Sequence, residues 1–301
     1  MSFKKIFVIC LLAFTLILTL ASCNQTQSNS NTGDIIIASK DFTEQDILGE
    51  LIAQQIEATG KLKVERKPRL GGSFVCHQAL TAGKIDGYVE YTGTAFTSIL
   101  KQAVINDPKQ VYQRVKQAYA QQFKLEVMEP LGFENTFAMI VRGEDARKYN
   151  IKTLSEAAKY TPQWRGGFGF EFTEREDGFP GLSKTYNLQF RERPRVMSLD
   201  LIYRAISQGL VDMVAGNSTD GQISRLGLVV LQDDKKYFPP YEAVPIFSQQ
   251  TLNKYPIIKT AISKLSGKIT ADQMRQLNYL VEGELRDIKE VVSEFRKSKG
   301  L

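Results

Sequence analysis

A group of aromatic and hydroxyl-bearing residues follows a short apolar strand at Asp86–Thr94. The strand is predicted to end at Tyr91, and a helix is expected to begin at Thr94 after a glycine-bearing turn. Strand ends that lead into helix N-termini are where open α/β sheets bind ligands, and the unpaired N–H groups there suit an anion. The ring of Tyr91 offers a face that attracts a cation. The segment therefore predicts a site for a small molecule with a cation at one end and a carboxylate at the other.

The remaining chemistry-bearing residues argue against an enzyme. The one histidine, His77, adjoins Cys76 on a predicted helix, and helical neighbours do not face each other as a nucleophile and its base must. No G-x-S-x-G segment and no metal-ligand spacing is present, so we expect no catalysis, no metal and no cofactor. The net charge of +6 and the lack of a basic block with interleaved aromatics also argue against nucleic acid.

The elements that must position Tyr91 and Thr94 alternate between strands and helices. Residues 34–91 predict a β-α-β-α-β order, which is typical of a parallel sheet. Residues 136–230 repeat this organisation without repeating the sequence, and they include a predicted strand at 166–170 followed by a polar loop at 171–181. The 301 residues are enough for two α/β lobes.

Two short segments rich in proline, glycine and aromatic residues are predicted to cross between the lobes, at Glu129–Asn135 and Tyr237–Tyr241. We expect residues 34–134 plus 243–301 to form lobe 1 and residues 135–242 to form lobe 2. Helices of the C-terminal segment should pack back on lobe 1. Two crossings make a hinge, which permits closure over a ligand.

The N-terminus predicts export and anchoring. Lys4 and Lys5 precede an apolar run at 6–20, which is the length of a signal-peptide core and short for a membrane span. Leu20–Cys23 (LASC) resembles a bacterial lipobox, which implies a signal peptide at 1–22, acylation of Cys23 and a flexible tether at 23–33. An ordinary secretory signal with an incidental cysteine is the alternative. The globular domain, expected to be a monomer, would then lie in the periplasm or at the outer face of the cytoplasmic membrane.

Six short motifs in one order carry a family resemblance over residues 34–301. They are Lys40–Gln45 (KDFTEQ), Leu70–Ser73 (LGGS), Tyr91–Thr94 (YTGT), Phe172–Gly178 (FTEREDG), Ser218–Gly221 (STDG) and Pro239–Tyr241 (PPY). Together they resemble the glycine betaine/choline-type substrate-binding proteins of bacterial ABC importers. The resemblance implies a periplasmic-binding-protein fold of type II character, a small quaternary ammonium ligand, a permease subunit as partner and no catalysis.

The resemblance also implies the roles of seven residues. Four positions would form an aromatic box around a trimethylammonium group, and three would hold a carboxylate. The box positions are Tyr91, Phe137, Asn217 and Tyr241, and the carboxylate positions are Lys40, Thr94 and Arg175. A quaternary ammonium has no N–H, so ring faces must hold it, whereas Arg and Lys suit a carboxylate.

Two box positions depart from the family pattern, which usually has tyrosine at both. Phe137 keeps the ring, although it could equally be plain core. Asn217 replaces a ring by an amide, and it could instead support a turn. The ligand is therefore left open among glycine betaine, choline and larger or more polar betaines such as carnitine or ergothioneine. An amino acid remains the alternative if acidic groups, rather than rings, surround the cation.

Overall fold

The computed structural model of the protein describes residues 34–301, apart from the side chain of Ser224. The expected signal peptide (1–22), the acylated Cys23 and the tether (23–33) lie outside the described residues, so these three predictions are not addressed by the structure. Within residues 34–301, no helix has the length and apolar character needed to cross a bilayer.

The first of two five-stranded sheets takes four strands from the first part of the described chain and one from its last part. Its strands are β1 (Ile35–Ala38), β2 (Val64–Lys67), β3 (Gly87–Tyr91), β4 (Leu125–Val127) and, from the returning chain, β10 (Ala243–Ser248). Their order in the sheet is β2-β1-β3-β10-β4. The strands β2 and β3 run parallel to β1, whereas β10 runs antiparallel to β3 and β4.

Helices cover this sheet. In the first half of the chain they are α1 (Thr43–Glu57), α2 (Ser73–Thr81), the short α3 (Thr92–Thr94) and α4 (Pro108–Ala118). After β10 come α11 (Gln249–Lys254), α12 (Ile257–Ser263), α13 (Ala271–Glu282) and α14 (Ile288–Ser298). Nearly every residue of α1 is buried, because α12, α13 and α14 pack against it and shield it from solvent.

The second sheet is built entirely by the intervening chain. Its strands are β5 (Phe137–Arg142), β6 (Gly166–Phe168), β7 (Arg195–Val196), β8 (Met213–Asn217) and β9 (Leu228–Val230), in the order β7-β6-β8-β5-β9. Its helices are α5 (Gly143–Lys148), α6 (Leu154–Ala157), α7 (Phe170–Glu174), α8 (Phe179–Tyr186), α9 (Leu199–Ser207) and α10 (Gln222–Arg225). The strand β6 runs parallel to β7 and β8, and β5 runs antiparallel to β8 and β9.

The two crossings lie side by side. An antiparallel bridge pairs Glu134 with Glu242, and the Asn135 N–H donates to the Tyr241 carbonyl at 3.0 Å. The predicted fold of two α/β lobes joined by two crossings is confirmed. Capping boxes at Thr153 and Thr270 open α6 and α13.

Some local predictions were confirmed and others were wrong. The parallel arrangement predicted for residues 34–91 is confirmed, because β2 and β3 run parallel to β1. Each sheet as a whole is nevertheless mixed, because it includes a strand that enters from a crossing in the opposite direction. The predicted strand at 166–170 ends at Phe168, and the predicted loop at 171–181 contains most of α7 and the start of α8. Wide π-helical turns at Ala95–Ile99 and Tyr119–Phe123 extend α3 and α4, which no sequence pattern indicated.

Candidate functional site

A cavity of about 690 Å³ lies between the two lobes. Residues from both sheets and from both crossings line it. The lining includes all seven residues predicted from sequence, which are Lys40, Tyr91, Thr94, Phe137, Arg175, Asn217 and Tyr241. The structure therefore brings the predicted set together at one place, and the role of each residue toward a ligand stays a prediction.

Three of the four predicted box residues place aromatic rings in this cavity. Tyr91 ends β3 and Tyr241 precedes β10, and both are buried. Phe137 begins β5, and its ring centroid lies 5.9 Å from that of Tyr241 in an edge-on arrangement. Phe172 packs edge-on behind Phe137 at 4.8 Å. Packing between rings thus fixes Phe137 and Tyr241, and Tyr91 lines the same cavity. We call the three residues Tyr91, Phe137 and Tyr241 the cage.

Both cage tyrosines donate their hydroxyl hydrogen to a buried carboxylate. Tyr91 donates to Glu44 at 2.5 Å, and Tyr241 donates to Asp177 at 2.8 Å. Burial, together with the neighbouring carboxylate, raises the pKa of each tyrosine well above its usual range. Because the phenols stay protonated and tethered, the rings keep one orientation.

Lys40 is held at the inner end of the cavity by Glu90. The two side chains are almost fully buried, and the Lys40 Nζ lies 2.6 Å from Glu90 Oε1. The same Nζ stands 4.3 Å from the centroid of the Tyr91 ring. An ion pair this deeply buried fixes the ammonium group in place, and breaking it would leave an uncompensated charge.

The guanidinium of Arg175 is hydrogen-bonded to the described part of the chain through Nε and Nη2 but not through Nη1. We call the Nη1 edge its open side. Its Nε and Nη2 donate to both oxygens of Asp177 at 2.8 and 2.6 Å, and Nη2 also reaches Thr94 Oγ1 at 3.1 Å. Burial alone would raise the pKa of Asp177, but the hydrogen bond and charge of Arg175, together with the hydrogen bonds from Thr97 and Tyr241, outweigh it and hold that pKa below its usual range. The Nη1 makes no hydrogen bond to residues 34–301 and lies 3.8 Å from Glu171.

Asn217 ends β8, directly opposite Phe137 in the antiparallel pair. Its backbone N–H donates to Asp220 at 2.8 Å, and its amide nitrogen lies 3.4 Å from both oxygens of that carboxylate. Burial raises the pKa of Asp220 to about 7. Asn217 also lines a second, smaller cavity of about 390 Å³, so it stands in the wall between two spaces.

The carboxylates that hold these groups were not predicted as site residues. From sequence, Glu44 and Asp177 appear only as members of the KDFTEQ and FTEREDG motifs, and Glu90 only within the segment Asp86–Thr94. Glu44 accepts hydrogen bonds from Tyr91 and from three residues of other segments. These are Asn135 in the first crossing, Thr219 in lobe 2 and Asn278 in α13. Four donors from distant parts of the chain meet at this one carboxylate.

Contacts across the cleft hold the lobes together. Asp177 of lobe 2 accepts hydrogen bonds from Thr97 at 2.6 Å and Ser98 at 2.9 Å, both in lobe 1. Glu171 of lobe 2 accepts from the Ser73 N–H at 2.5 Å, at the N-terminus of α2. The inner end of the cavity is therefore closed over by both lobes.

Comparison with known proteins identifies the fold and the family. The family model for the substrate-binding domain of ABC-type glycine betaine transport systems matches residues 33–298. The chain belongs to this family. A crystal structure of a glycine betaine/carnitine/choline ABC transporter superposes with a TM-score of 0.73 at 35% identity, and the match covers 89% of this chain and 99% of that one.

Relatives within the family differ in the ligand for which they are named. A carnitine transport binding protein of Listeria monocytogenes is 36% identical over 97% of this chain and 96% of its own length. An ergothioneine transport permease/ergothioneine binding protein of Helicobacter pylori is 35% identical over 89% of this chain, which spans 48% of that protein. This protein is accordingly an extracytoplasmic substrate-binding protein of an ABC importer and not an enzyme.

Proposed function

We propose that the protein captures a quaternary ammonium compound, such as glycine betaine, choline or a related betaine, and delivers it to an ABC permease. The observation that carries this proposal is the cage of Tyr91, Phe137 and Tyr241, which shares one cavity with the open side of Arg175. Each ring face contributes roughly 0.5–2 kcal/mol toward a desolvated cation. A ligand that touches both lobes would favour the closed arrangement.

In this proposal the seven residues divide by chemistry. Tyr91, Phe137 and Tyr241 surround the trimethylammonium group, and Asn217 completes the box as an amide. The carboxylate of the ligand binds the Nη1 of Arg175, with Lys40 and Thr94 close by. The acidic side chains nearest the rings, Glu44 and Asp177, already accept the tyrosine hydroxyls. This supports a methylated ammonium rather than the primary ammonium of an amino acid.

A larger betaine is the second candidate for the ligand. Asn217 removes one aromatic wall and supplies a polar group next to a further cavity. The relatives named for carnitine and ergothioneine support the same candidate. A hydroxyl or N–H group of such a ligand would then bind the amide of Asn217.

Calorimetry against glycine betaine, choline, carnitine, ergothioneine and a set of amino acids tests the proposal. We expect binding of at least one methylated ammonium compound and none of the amino acids. Tetramethylammonium is the matched control, because it fills the cage without offering a carboxylate. A panel in which amino acids bind and no methylated compound does would reject the proposed function.

We also propose that lobe 1 consists of residues 34–134 plus 243–301 and that lobe 2 consists of residues 135–242.

We further propose that the protein works as a monomer and that it is anchored through Cys23 after removal of residues 1–22. The lipobox-like Leu20–Cys23 supports the anchor. In a Cys23→Ser variant, the protein should leave the membrane fraction of cells. Equal membrane association of the variant and the parent would refute the anchor.

A further inference from the structure

Large apolar side chains stand exposed on both walls of the cleft. Phe74 and Val75, in the first turn of α2, are 44% and 47% exposed. Across the cleft, Phe170 at the start of α7 is 68% exposed and Val196 in β7 is 52% exposed. All four line the same cavity as the cage, and we call them the outer wall. Exposed apolar groups gathered at one place mark a ligand groove or an interface.

The cavity is larger than a small betaine needs. Glycine betaine has about eight non-hydrogen atoms, and even at the roughly 30 Å³ that one water occupies in the liquid these would fill about 240 Å³. The cavity holds about 690 Å³. More than half of the space is therefore left once the cage and the open side of Arg175 are occupied. The unfilled volume includes the part of the cavity that the outer wall lines.

The two ends of the cavity differ in polarity. At the inner end, Tyr91, Tyr241 and Arg175 are each less than 5% exposed, and their polar atoms are hydrogen-bonded within residues 34–301 except for the Nη1 of Arg175. At the outer end the exposed charged residues of the lining are acidic, namely Asp41 and Glu174. An anionic group would be repelled by this rim, whereas an uncharged hydrocarbon would be received by the outer wall.

We propose that the outer wall is an apolar subsite for an uncharged aliphatic or aryl substituent carried by the quaternary ammonium ligand. This inference rests on the proposed function, because the ligand reaches the outer wall only if its cation is held in the cage. The occupant is part of the ligand itself, since the outer wall and the cage line one continuous cavity.

Binding of two homologous series tests the subsite. The affinities of choline and carnitine would be measured by calorimetry beside those of their O-acetyl, O-butyryl and O-hexanoyl esters. A buried methylene contributes enough transfer free energy for about a fourfold gain in affinity. The step from acetyl to hexanoyl adds four methylenes, so we expect affinity to rise at least several-fold in one series or both, and by about two orders of magnitude if all four are buried.

The two proposals fail in different ways in this experiment. If glycine betaine, choline or carnitine binds but affinity stays level or falls with chain length, the outer wall is not a subsite and the proposed function stands. If no parent compound, no ester and no ergothioneine binds, the proposed function fails and the subsite fails with it. Binding of ergothioneine alone would leave the proposed function standing and overturn the subsite.

A pair of surface variants locates the effect. Phe170→Ser should reduce the ratio of hexanoyl-ester to parent-compound affinity by several-fold, because it removes the most exposed ring of the outer wall. Leu210→Ser is the matched control, since Leu210 is 48% exposed and lies outside the lining of this cavity. An unchanged ratio in Phe170→Ser would overturn the assignment of the outer wall, as would an equal reduction in both variants.

Discussion

The hydroxyl groups of Tyr91 and Tyr241 each end on a buried carboxylate, and this contact limits which way the rings can face. A phenol that donates to Glu44 or Asp177 cannot rotate away from the cavity without breaking that buried hydrogen bond. Ring orientation and charge pairing are therefore coupled at both positions. A cation held against such rings interacts with fixed faces rather than with mobile ones.

Two substitutions at Tyr241 separate the ring from its hydroxyl. Tyr241→Ala removes a cage face, so affinity for the ligand found in the panel should fall by more than tenfold. Tyr241→Phe keeps the face and loses the bond to Asp177, so affinity should fall only a few-fold. Calorimetry on both variants measures the difference. Equal losses in the two variants would mean that the hydroxyl, and not the ring, matters for binding.

Asn217 permits a test of the incomplete box. Asn217→Tyr should strengthen binding of glycine betaine by several-fold, because it adds the ring face that the family usually has there. Asn217→Ala is the control, since it removes the amide without adding a ring. Calorimetry with glycine betaine compares the three proteins. Weaker binding in both variants would instead show that the amide itself contacts the ligand.

Five of the seven candidate residues lie in the six short motifs, and Phe137 and Asn217 follow from the family positions that those motifs bring into register. The carboxylate partners of the seven could not be predicted in this way. Glu44 and Tyr91 are 47 residues apart, and Glu44 and Asn278 are 234 apart, so no local pattern links them. Asp177 lies only two residues from Arg175. That spacing does not predict that the Asp177 carboxylate accepts hydrogen bonds from both the Arg175 guanidinium and the Tyr241 hydroxyl.

At the scale of elements, the turn from β3 into α3 works only because its third residue has no side chain. A Cβ on Gly93 would lie 2.6 Å from the Pro240 carbonyl oxygen and 2.6 Å from the Tyr241 ring. The first turn of α3 and the second crossing therefore touch through backbone. This contact sets the position of one cage ring relative to the strand that carries the other.

Gly93→Ala should displace Tyr241 or open the turn, and both would weaken ligand binding by at least tenfold. The free energy of unfolding should also fall by about 1–3 kcal/mol, as is typical of overpacking. Gly49→Ala is the control, because a Cβ there meets its nearest atom at an ordinary 3.4 Å. Calorimetry and denaturant unfolding give the two readouts. Normal binding by Gly93→Ala would show that the turn does not position the cage.

The order of elements followed from hydrophobic pattern and turn residues, but sheet direction did not. Both β5 and β10 read as ordinary strands, and only the path of the crossings makes them antiparallel to their neighbours. The sequence did not predict the helix α7, because the glycine-rich segment at 166–170 was predicted to be strand throughout, whereas the strand ends at Phe168. Its first residue, Phe170, is 68% exposed and gives no buried face that a periodic pattern could reveal.

At the scale of the whole molecule, three acidic groups where the lobes meet, Asp220, Glu44 and Glu282, form no salt bridge within residues 34–301. Asp220 of lobe 2 is almost fully buried and accepts from Tyr203 and Asn217. Burial raises the pKa of Asp220 to about 7, and the charges of Glu282 and Glu44 in lobe 1 add to the shift. A negative charge on Asp220 is therefore unfavourable where the lobes meet.

This predicts a pH dependence of stability whose sign is fixed by linkage. An unfolded Asp titrates near about 4, so between about pH 4 and pH 7 the folded state holds one more proton than the unfolded state. The contribution of Asp220 to the unfolding free energy is full below about pH 4, decreases as pH rises through this window, and levels off above about pH 7. The slope approaches about 1.4 kcal/mol per pH unit.

Asp220→Asn isolates this contribution, because the amide does not titrate. Other buried acids, such as Glu171 and Glu242, titrate in the variant as they do in the parent, so their effects cancel in the difference. Denaturant unfolding at pH 5, 6, 7 and 8 should show the variant gaining stability relative to the parent up to about pH 7 and not beyond. A pH-independent offset added to this pH-dependent change in the unfolding free energy would report only the altered hydrogen bonding to Tyr203. A difference that does not change with pH would mean that Asp220 is ionised in the folded protein throughout this range.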